Sequence, residues 1–599
     1  MCGIVGYIGA SDAVAPIMEG LSRLEYRGYD SAGICLSIDG KLEQFKKEGK
    51  LKNLDGLLQE KKPRSSFGIG HTRWATHGEV NDINAHPHIN EEFAIVHNGI
   101  IENATELKSK LDYKFKSQTD TEVFLALVTV AFKETSHVEK AIIKAFQAVE
   151  GNSAFVIMHK STKKLYAIKN SAPLVCGIND TAGEFFVSSD PYALIGYTTK
   201  LYFPDDQILC VADTESSTEF KFFDVDLNSS NKYKTQMETR SKDVVDKGNF
   251  EHFMLKEIFE QPQLVSRVVS KLKNKEYEKP FEEIAKNAQG VFNIIGCGTA
   301  LHAGMVIKNF LELRNKKRAI TDFASEFRYK APLLEKTDVG LFITQSGETA
   351  DTLACQQHCK ESGLSTYSIV NVEGSTIYRS CDQNILLEAG AEIGVASTKA
   401  FTQMVVMGYL LSQSIEGNFS SPETDQELKN AAKAIAKILE REDEIKSIAR
   451  EIYNYKGFIF TGRGDQYPIA LEGALKLKEI AYVHAEGYAS GELKHGPIAL
   501  FDEKMVNIAL ITSDLFKKTL SNAQEVKARK GVMVILGEGQ IDEVKEISDF
   551  YFDVDYFGVN ALKPIVSNVV LQMLSYHIAK LKGTDIDKPR NLAKSVTVE

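Results

Sequence analysis

The sequence predicts a β-rich α+β unit over its first 240 residues, followed by two tandem α/β units built on parallel sheets. Three observations carry this. Short alternating segments separated by Gly, Asn and Asp fill residues 1–225, the pattern of antiparallel strands. From about residue 290, short apolar runs end in Gly/Ser/Thr loops that lead into helices, which implies parallel sheets covered by helices. That strand–loop–helix pattern occurs twice, as VFNIIGCGTALHAG from residue 291 and KGFIFTGRGDQYPIA from residue 456.

In chain order, strands are predicted at Phe67–Gly70, Phe93–Val96, Ala154–Met158 and Leu165–Ile168, with helices near Ala15–Leu24 and Glu122–Phe132. Asn228–Lys247 is polar and charged without apolar periodicity, so it is expected to be a connector, with a packing helix after it at Phe253–Phe259. Further strands are predicted at Val291–Ile295, Gly340–Ile343 and Phe458–Phe460. The expected partition is 1–240, a linker with connecting helix at 241–284, α/β units at 285–440 and 450–585, and a C-terminal tail at 586–599.

Composition narrows the classes. The chain has 599 residues, with 71 Lys+Arg against 81 Asp+Glu and a net charge of −10, where a nucleic-acid scaffold would show a basic excess. Hydrophobic residues at 43% and charged ones at 25% are ordinary for a globular protein and exclude disordered or collagen-like classes. Eight cysteines in so long a chain are too sparse for a disulfide framework, which points to a reducing compartment. Met1–Gly9 is apolar but lacks a basic leader and is broken by glycines, and no apolar run approaches the ~20 residues that span a bilayer. The expectation is a cytoplasmic protein with neither membrane nor nucleic acid as a partner.

Two constellations carry chemistry. Cys2 follows the initiator Met and precedes Gly3, and removal of Met1 would place a thiol and a free α-amine on one residue. The amine, with an unperturbed pKa near ~7.7–8, could serve as base to its own thiol. Alone, Cys2 fits a buried structural cysteine better than a nucleophile. The second is Thr344-Gln345-Ser346-Gly347-Glu348-Thr349-Ala350-Asp351-Thr352, where clustered hydroxyls open a helix. Such a loop suits an anion, and without the Gly-Lys-Ser/Thr of a P-loop it favours a compact sugar phosphate over a nucleoside triphosphate. Helix capping would explain many such loops by itself. His71, His77, His86, His88 and His97 crowd together, but no Cys or carboxylate sits at zinc-ligand spacing among them, so no metal is expected.

CGIVGYIG at residues 2–9, Glu25-Tyr26-Arg27-Gly28-Tyr29-Asp30-Ser31-Ala32-Gly33, His71-Thr72-Arg73-Trp74-Ala75-Thr76-His77-Gly78, His97-Asn98-Gly99-Ile100-Ile101-Glu102-Asn103 and Ser117-Gln118-Thr119-Asp120-Thr121-Glu122 together resemble the N-terminal-nucleophile glutamine amidotransferases. The resemblance implies a four-layer αββα sandwich in which Cys2 attacks the carboxamide of glutamine. Asn98 and the Gly99 N–H would form the oxyanion hole, Arg73 would bind the substrate carboxylate as a bidentate fork, Asp120 its ammonium, and Thr76 and His77 would help hold it.

The chain from about 290 onward is similar to a tandem pair of sugar-isomerase (SIS) domains. The supporting segments are Gly296-Cys297-Gly298-Thr299, Ala324–Tyr329, the hydroxyl loop, Glu392–Phe401, Gly462–Pro468, Gly491–Pro497 and the tail Asp587–Glu599. This resemblance implies that Thr299, Thr344, Gln345, Ser346 and Thr349 hold the phosphate, with Val395 and Ser397 beside the sugar. One position departs: Ala300 stands where the family usually has Ser. His495 would open the sugar ring from across a homodimer formed through the SIS half. Lys594 would form an imine at C2, and Glu479 would shuttle a proton between C1 and C2. Lys476 lies three residues before Glu479, on the same helix face. Cys297, Cys355 and Cys359 are expected to be core.

A glutaminase followed by two SIS domains implies an enzyme with two sites. Ammonia from glutamine would pass internally to fructose 6-phosphate, giving glucosamine 6-phosphate and glutamate without metal or redox cofactor. Ammonia released to bulk water would protonate and escape, so a sealed passage is expected, with Trp74, on the glutamine loop, as its gate.

Overall fold

The computed structural model describes residues 2–25, 28–215, 217–237, 247–287, 289–330, 332–539 and 541–596. Met1, the Tyr26-Arg27 pair, the expected 240/241 boundary and the last three residues of the tail lie outside them. The chain divides into two units, Met1–Asp246 with Ser595–Glu599, and Lys247–Lys594.

The first unit holds two antiparallel sheets. Strands in the eight-stranded sheet run Gln236–Met237, Lys200–Tyr202, Val175–Asn179, Glu184–Ser188, Gly3–Ile8, Phe67–Arg73, Ser31–Ile38 and Lys41–Glu48. The six-stranded sheet runs Lys221–Phe223, Leu209–Ala212, Leu165–Asn170, Ser153–His159, Phe93–Gly99 and His88–Ile89. Successive side chains alternate between faces. Ile4 and Ile8 therefore enter the core between the sheets with Val96, Val156 and Leu165. Val5 and Tyr7 turn outward under the helices Val14–Leu24 and Leu51–Lys61. Phe93, Ile95 and Phe155 face the helices Thr121–Thr135 and Val138–Ala148. The result is the αββα sandwich that the resemblance implies.

The predicted connector is partly sheet. Gln236–Met237 pairs with Lys200–Tyr202, although both residues are exposed and polar patterning gives no strand signal there. Main-chain pairing at an edge needs no apolar periodicity. The helix expected at Phe253–Phe259 extends to Lys271, burying Met254, Ile258, Val265 and Val268.

The second unit carries two five-stranded parallel sheets. One runs Ala319–Phe323, Phe292–Gly296, Val339–Thr344, Ser365–Val370, Gln383–Leu386, and the other runs His484–Ala489, Gly457–Gly462, Met505–Ile511, Val532–Gly537, Phe550–Asp553. Both follow the chain order 2-1-3-4-5. Helices cover both faces, and the central strands are accordingly buried and mainly apolar, whereas the edge strands Ala319–Phe323, Gln383–Leu386 and His484–Ala489 carry polar, partly exposed residues. Ile294, Leu341 and Ile343 share one continuous core with Phe458, Phe460 and Ile508 of the other sheet. Ile295 and Phe342 turn into a second cluster, and Ile459 and Ile511 into a third. In each sheet the order reverses between its first and third strands, and open parallel sheets take ligands outside the carboxyl ends at that switch point. In the first sheet the loops there are Cys297-Gly298 and Gln345–Thr349. In the second, the loop after Met505–Ile511 is closed: Lys563 Nζ donates to Ser513 Oγ at 2.7 Å and pairs with Glu538 and Asp514.

Candidate active sites

Gly3 lies opposite Thr72 in the strand pairing, which sets Cys2 beside the end of the neighbouring strand. The Trp74 backbone N–H donates to Cys2 Sγ at 3.2 Å. Asn98 Nδ2, at the end of Phe93–Gly99, donates to the Cys2 carbonyl at 2.9 Å. Burial pushes the Cys2 thiol up, while the Trp74 N–H and the Arg73 charge oppose that shift. Gly99 has φ +133°, and a Cβ there would come within 2.0 Å of the Asn152 carbonyl oxygen, so the position demands glycine.

Arg73 donates from Nη1 to Glu79 O at 3.2 Å and from Nη2 to the His77 carbonyl, pinning the loop that carries exposed Thr76 and His77. Burial lowers the Arg73 pKa, against the charges of Cys2, Asp30 and Asp120. Asp120 is buried at the start of the helix Thr121–Thr135, and its Oδ2 accepts from the Ile101 N–H at 2.8 Å. Cys2, Asn98, Gly99, Arg73 and Asp120 thus form one neighbourhood. Trp74, half-buried, meets Tyr29 edge-on at 6.1 Å between ring centres.

Four of the five clustered histidines are buried behind this site, three of them in ring contact with one another and His97 stacked on Phe155. His71 and His86 rings lie 4.3 Å apart, and His86 and His88 rings 4.8 Å apart. His71 Nε2 donates to the His97 carbonyl at 2.9 Å, which fixes its tautomer. His86 and His97 both reach Thr121 Oγ1, at 2.7 and 3.0 Å, and His88 reaches Thr119 Oγ1 at 2.9 Å. Burial lowers all four pKa values, that of His71 to about 3. These imidazoles brace the two threonines flanking Asp120.

In the second unit the hydroxyl loop leaves Val339–Thr344 at the switch point. Buried Thr344 Oγ1 accepts from the Gly347 N–H at 3.1 Å, and Ser346 Oγ from the Glu348 N–H at 3.2 Å. Gly347 has φ +70°, and a Cβ would lie 2.1 Å from Ser375 Oγ. Thr349 occupies the N-cap position of Ala350–Glu361 but makes no side-chain cap bond, and Gln345 is half-buried. Cys297 Sγ lies 3.9 Å from Thr352 Oγ1, tying the first switch-point loop to the opening turn of the helix Ala350–Glu361. Cys355 and Cys359 are fully buried, and Ala300 sits in the apolar core, where its missing hydroxyl leaves nothing unpaired.

Thr299 begins the next helix and turns toward the other SIS half. Its Oγ1 donates to Glu472 Oε1 at 3.0 Å and accepts from Lys476 Nζ at 3.1 Å. Glu472, Lys476 and Glu479 occupy one face of the helix Tyr467–Ala481, and His302 Nδ1 lies 2.7 Å from Glu472 Oε2. Lys476 lies 2.6 Å from Glu479 and 3.4 Å from Glu472. Burial opposes its charge, but the two carboxylates outweigh that and raise its pKa to about 12. Lys594 is buried against Glu392, which also accepts from Ser397 Oγ at 3.0 Å. Buried Val395 donates its N–H to the Asp587 carbonyl at 3.0 Å, linking loop and tail. The charges of Lys476 and Glu392 interact, so the two lysine clusters adjoin. His495 stands apart, exposed in the turn Ser490–His495.

Glu472, His302 and Glu392 escaped the sequence reading. Glu472 had a usable signal, four residues before Lys476 on the same face. The other two meet their partners across 170 and 202 residues of chain, where spacing carries no information.

The family description "Glutamine amidotransferase domain" matches residues 71–196, and "SIS domain" matches residues 290–413 and 451–581. An amidotransferase domain ahead of paired SIS domains is the class that this fold and these sites define. The chain is 42% identical over 626 residues to the glutamine–fructose-6-phosphate aminotransferase (isomerizing) of Chlorobaculum tepidum, and 43% identical over 621 residues to that of Mesorhizobium japonicum, each covering 100% of both chains. The solved C-terminal domain of glucosamine-fructose-6-phosphate aminotransferase from Francisella tularensis is 37% identical with a TM-score of 0.52, covering 58% of this chain and 100% of that one. The chain belongs to the glutamine–fructose-6-phosphate aminotransferase (isomerizing) family. Among the described residues, no helix is long and apolar enough to cross a membrane.

Proposed function

We propose that the chain uses glutamine to convert fructose 6-phosphate into glucosamine 6-phosphate, releasing glutamate, the first step of amino-sugar synthesis, in the cytoplasm and as a homodimer. The observation that most supports this reading is its end-to-end likeness to relatives named for that reaction.

In the first site, loss of Met1 frees the Cys2 amine to take the thiol proton, and Sγ adds to the carboxamide carbon of glutamine. Asn98 Nδ2, turning from the Cys2 carbonyl, and the Gly99 N–H receive the oxyanion. The carbon–nitrogen bond breaks, ammonia leaves with the stored proton, and water hydrolyses the thioester to glutamate. Arg73 and Asp120 hold the amino-acid end, with Thr76 and His77 closing over it.

In the second site, Thr299, Thr344, Gln345, Ser346 and Thr349 hold the phosphate, with Val395 and Ser397 along the sugar. His495, exposed on its own chain, opens the ring in the partner subunit. Lys594 adds to C2 as an imine, ammonia displaces it, and Glu479 carries a proton from C1 to C2, turning the ketose imine into a 2-amino aldose. Lys476, 2.6 Å away, holds Glu479 in position.

With glutamine and fructose 6-phosphate, the protein is expected to form glucosamine 6-phosphate and glutamate in equal amounts. Cys2→Ala is expected to lose glutamine hydrolysis while still interconverting fructose and glucose 6-phosphates. No glucosamine 6-phosphate from the native chain sinks the reading, and loss of both activities in Cys2→Ala sinks the separation of the two sites. Mixing inactive His495→Ala and Glu479→Ala chains tests the dimer, since sugar turnover returns only if His495 serves its partner.

A further inference from the structure

Lys594 must be an unprotonated amine when it adds to a carbonyl, yet its Nζ is buried and ion-paired. Glu392 Oε2 accepts from Nζ, and the side chains of Lys594 and Glu392 are 4% and 0% exposed. The Gly394 carbonyl accepts from the same Nζ at 2.8 Å. The carboxylate is itself anchored: Oε1 accepts from the Thr398 and Ala400 N–H groups, at 2.9 and 3.0 Å, at the start of the helix Lys399–Glu416. A second carboxyl lies close. Glu257, from the helix Phe253–Lys271, accepts from the Ile393 and Gly394 N–H groups, and its Oε2 is buried without a hydrogen-bond partner. Burial and the Glu392 charge raise the Glu257 pKa; burial acts on Glu392 as well, but Lys594 and the Thr398 and Ala400 N–H groups outweigh it and lower its pKa. Of the two carboxyls, Glu392 is the one that touches Nζ. The other charges facing the pair are Lys399, which is paired with Glu260, and Lys476. Asp587 is committed to the Phe253 and Met254 N–H groups.

We propose that Glu392 is the positioning residue for Lys594, holding Nζ in place and accepting the proton that Nζ sheds before it adds to the sugar. This rests on the imine role of Lys594. One ammonium proton moves to Glu392 Oε2, and the freed Nζ lone pair forms the bond to C2 as the carbonyl π pair moves onto its oxygen. A second nitrogen proton passes to that oxygen. The Glu392 proton then joins it, the carbon–oxygen bond breaks and water leaves. The iminium keeps the third proton, facing a carboxylate that is ionised again.

The test is the pH dependence of cyanoborohydride trapping with fructose 6-phosphate, with the adduct located at Lys594 by mass spectrometry of full-length protein. Glu392→Gln can keep both backbone contacts through its amide oxygen but removes the charge. Its trapping midpoint is expected to fall by about one pH unit or more, tenfold in proton activity. Its kcat for sugar isomerisation should fall with little change in KM, because the carboxylate acts on Nζ and not on the phosphate. Glu392→Asp should restore the native midpoint. An unshifted midpoint in Glu392→Gln, or an Asp variant that behaves like Gln, overturns the proposal. Absence of any Lys594 adduct in the native chain overturns the imine role itself.

Discussion

At residue scale, the first site depends on one hydrogen atom. Gly99 lets the end of its strand pass the Asn152 carbonyl at a distance no side chain tolerates. Gly99→Ala forces a strained φ that costs about 1–3 kcal/mol and displaces the neighbouring Asn98. Glutamine hydrolysis is expected to fall about tenfold or more, the equivalent of ~1.4 kcal/mol in the barrier, with sugar isomerisation retained; a hydrolysis assay showing native rates contradicts this. The residues proposed to act on substrate were legible where they sit in contiguous strings, as those in His71–Gly78 and His97–Asn103 do. Glu392 was in view within such a string, but nothing in its spacing pointed to Lys594.

At the scale of elements, the helix Tyr467–Ala481 concentrates charge where helices usually bury apolar faces. Glu472 and Lys476 are fully buried, each satisfied by groups from the other SIS half. Glu472→Leu leaves Lys476 with Glu479 as its remaining carboxylate, and breaking a buried pair costs about 3–5 kcal/mol. The denaturant midpoint of the second unit should drop accordingly, and an unchanged midpoint would mean that Lys476 is held without Glu472. The same helix shows what patterning recovers: a 3.6-residue period places Glu472 with Lys476 and Glu479, although it cannot tell a surface ion pair from a buried one. The central parallel strands were legible because burial on both faces makes them continuously apolar. The strand Gln236–Met237 was not, since its pairing is main-chain only and both side chains face water.

At the scale of the whole molecule, the histidine cluster sets a pH limit on the first unit. The folded-state pKa values of His71, His86, His88 and His97 lie below the unfolded value near ~6.5. Below that pH the unfolded chain binds protons that the folded unit refuses. Stability is therefore full above pH ~6.5 and falls as pH drops, by up to about 1.4 kcal/mol per pH unit for each such histidine. Urea midpoints followed in the first unit should be lower at pH 5.5 than at pH 7.5; equal midpoints would mean that the imidazoles are not held neutral. The two activities should also be separable from one another at Trp74. Trp74→Ala is expected to let glutamate formation outrun amino-sugar formation, and matched rates would remove Trp74 as the gate. Finally, the strand order 2-1-3-4-5 occurs twice, yet only one copy leaves its loop open. Where the first sheet presents hydroxyls, the second has an internal cation, Lys563, already seated among Ser513, Asp514 and Glu538. The repeat is one of scaffold and not of occupancy: under the proposed function one copy would receive the phosphate and the other would lend its helix to the chemistry.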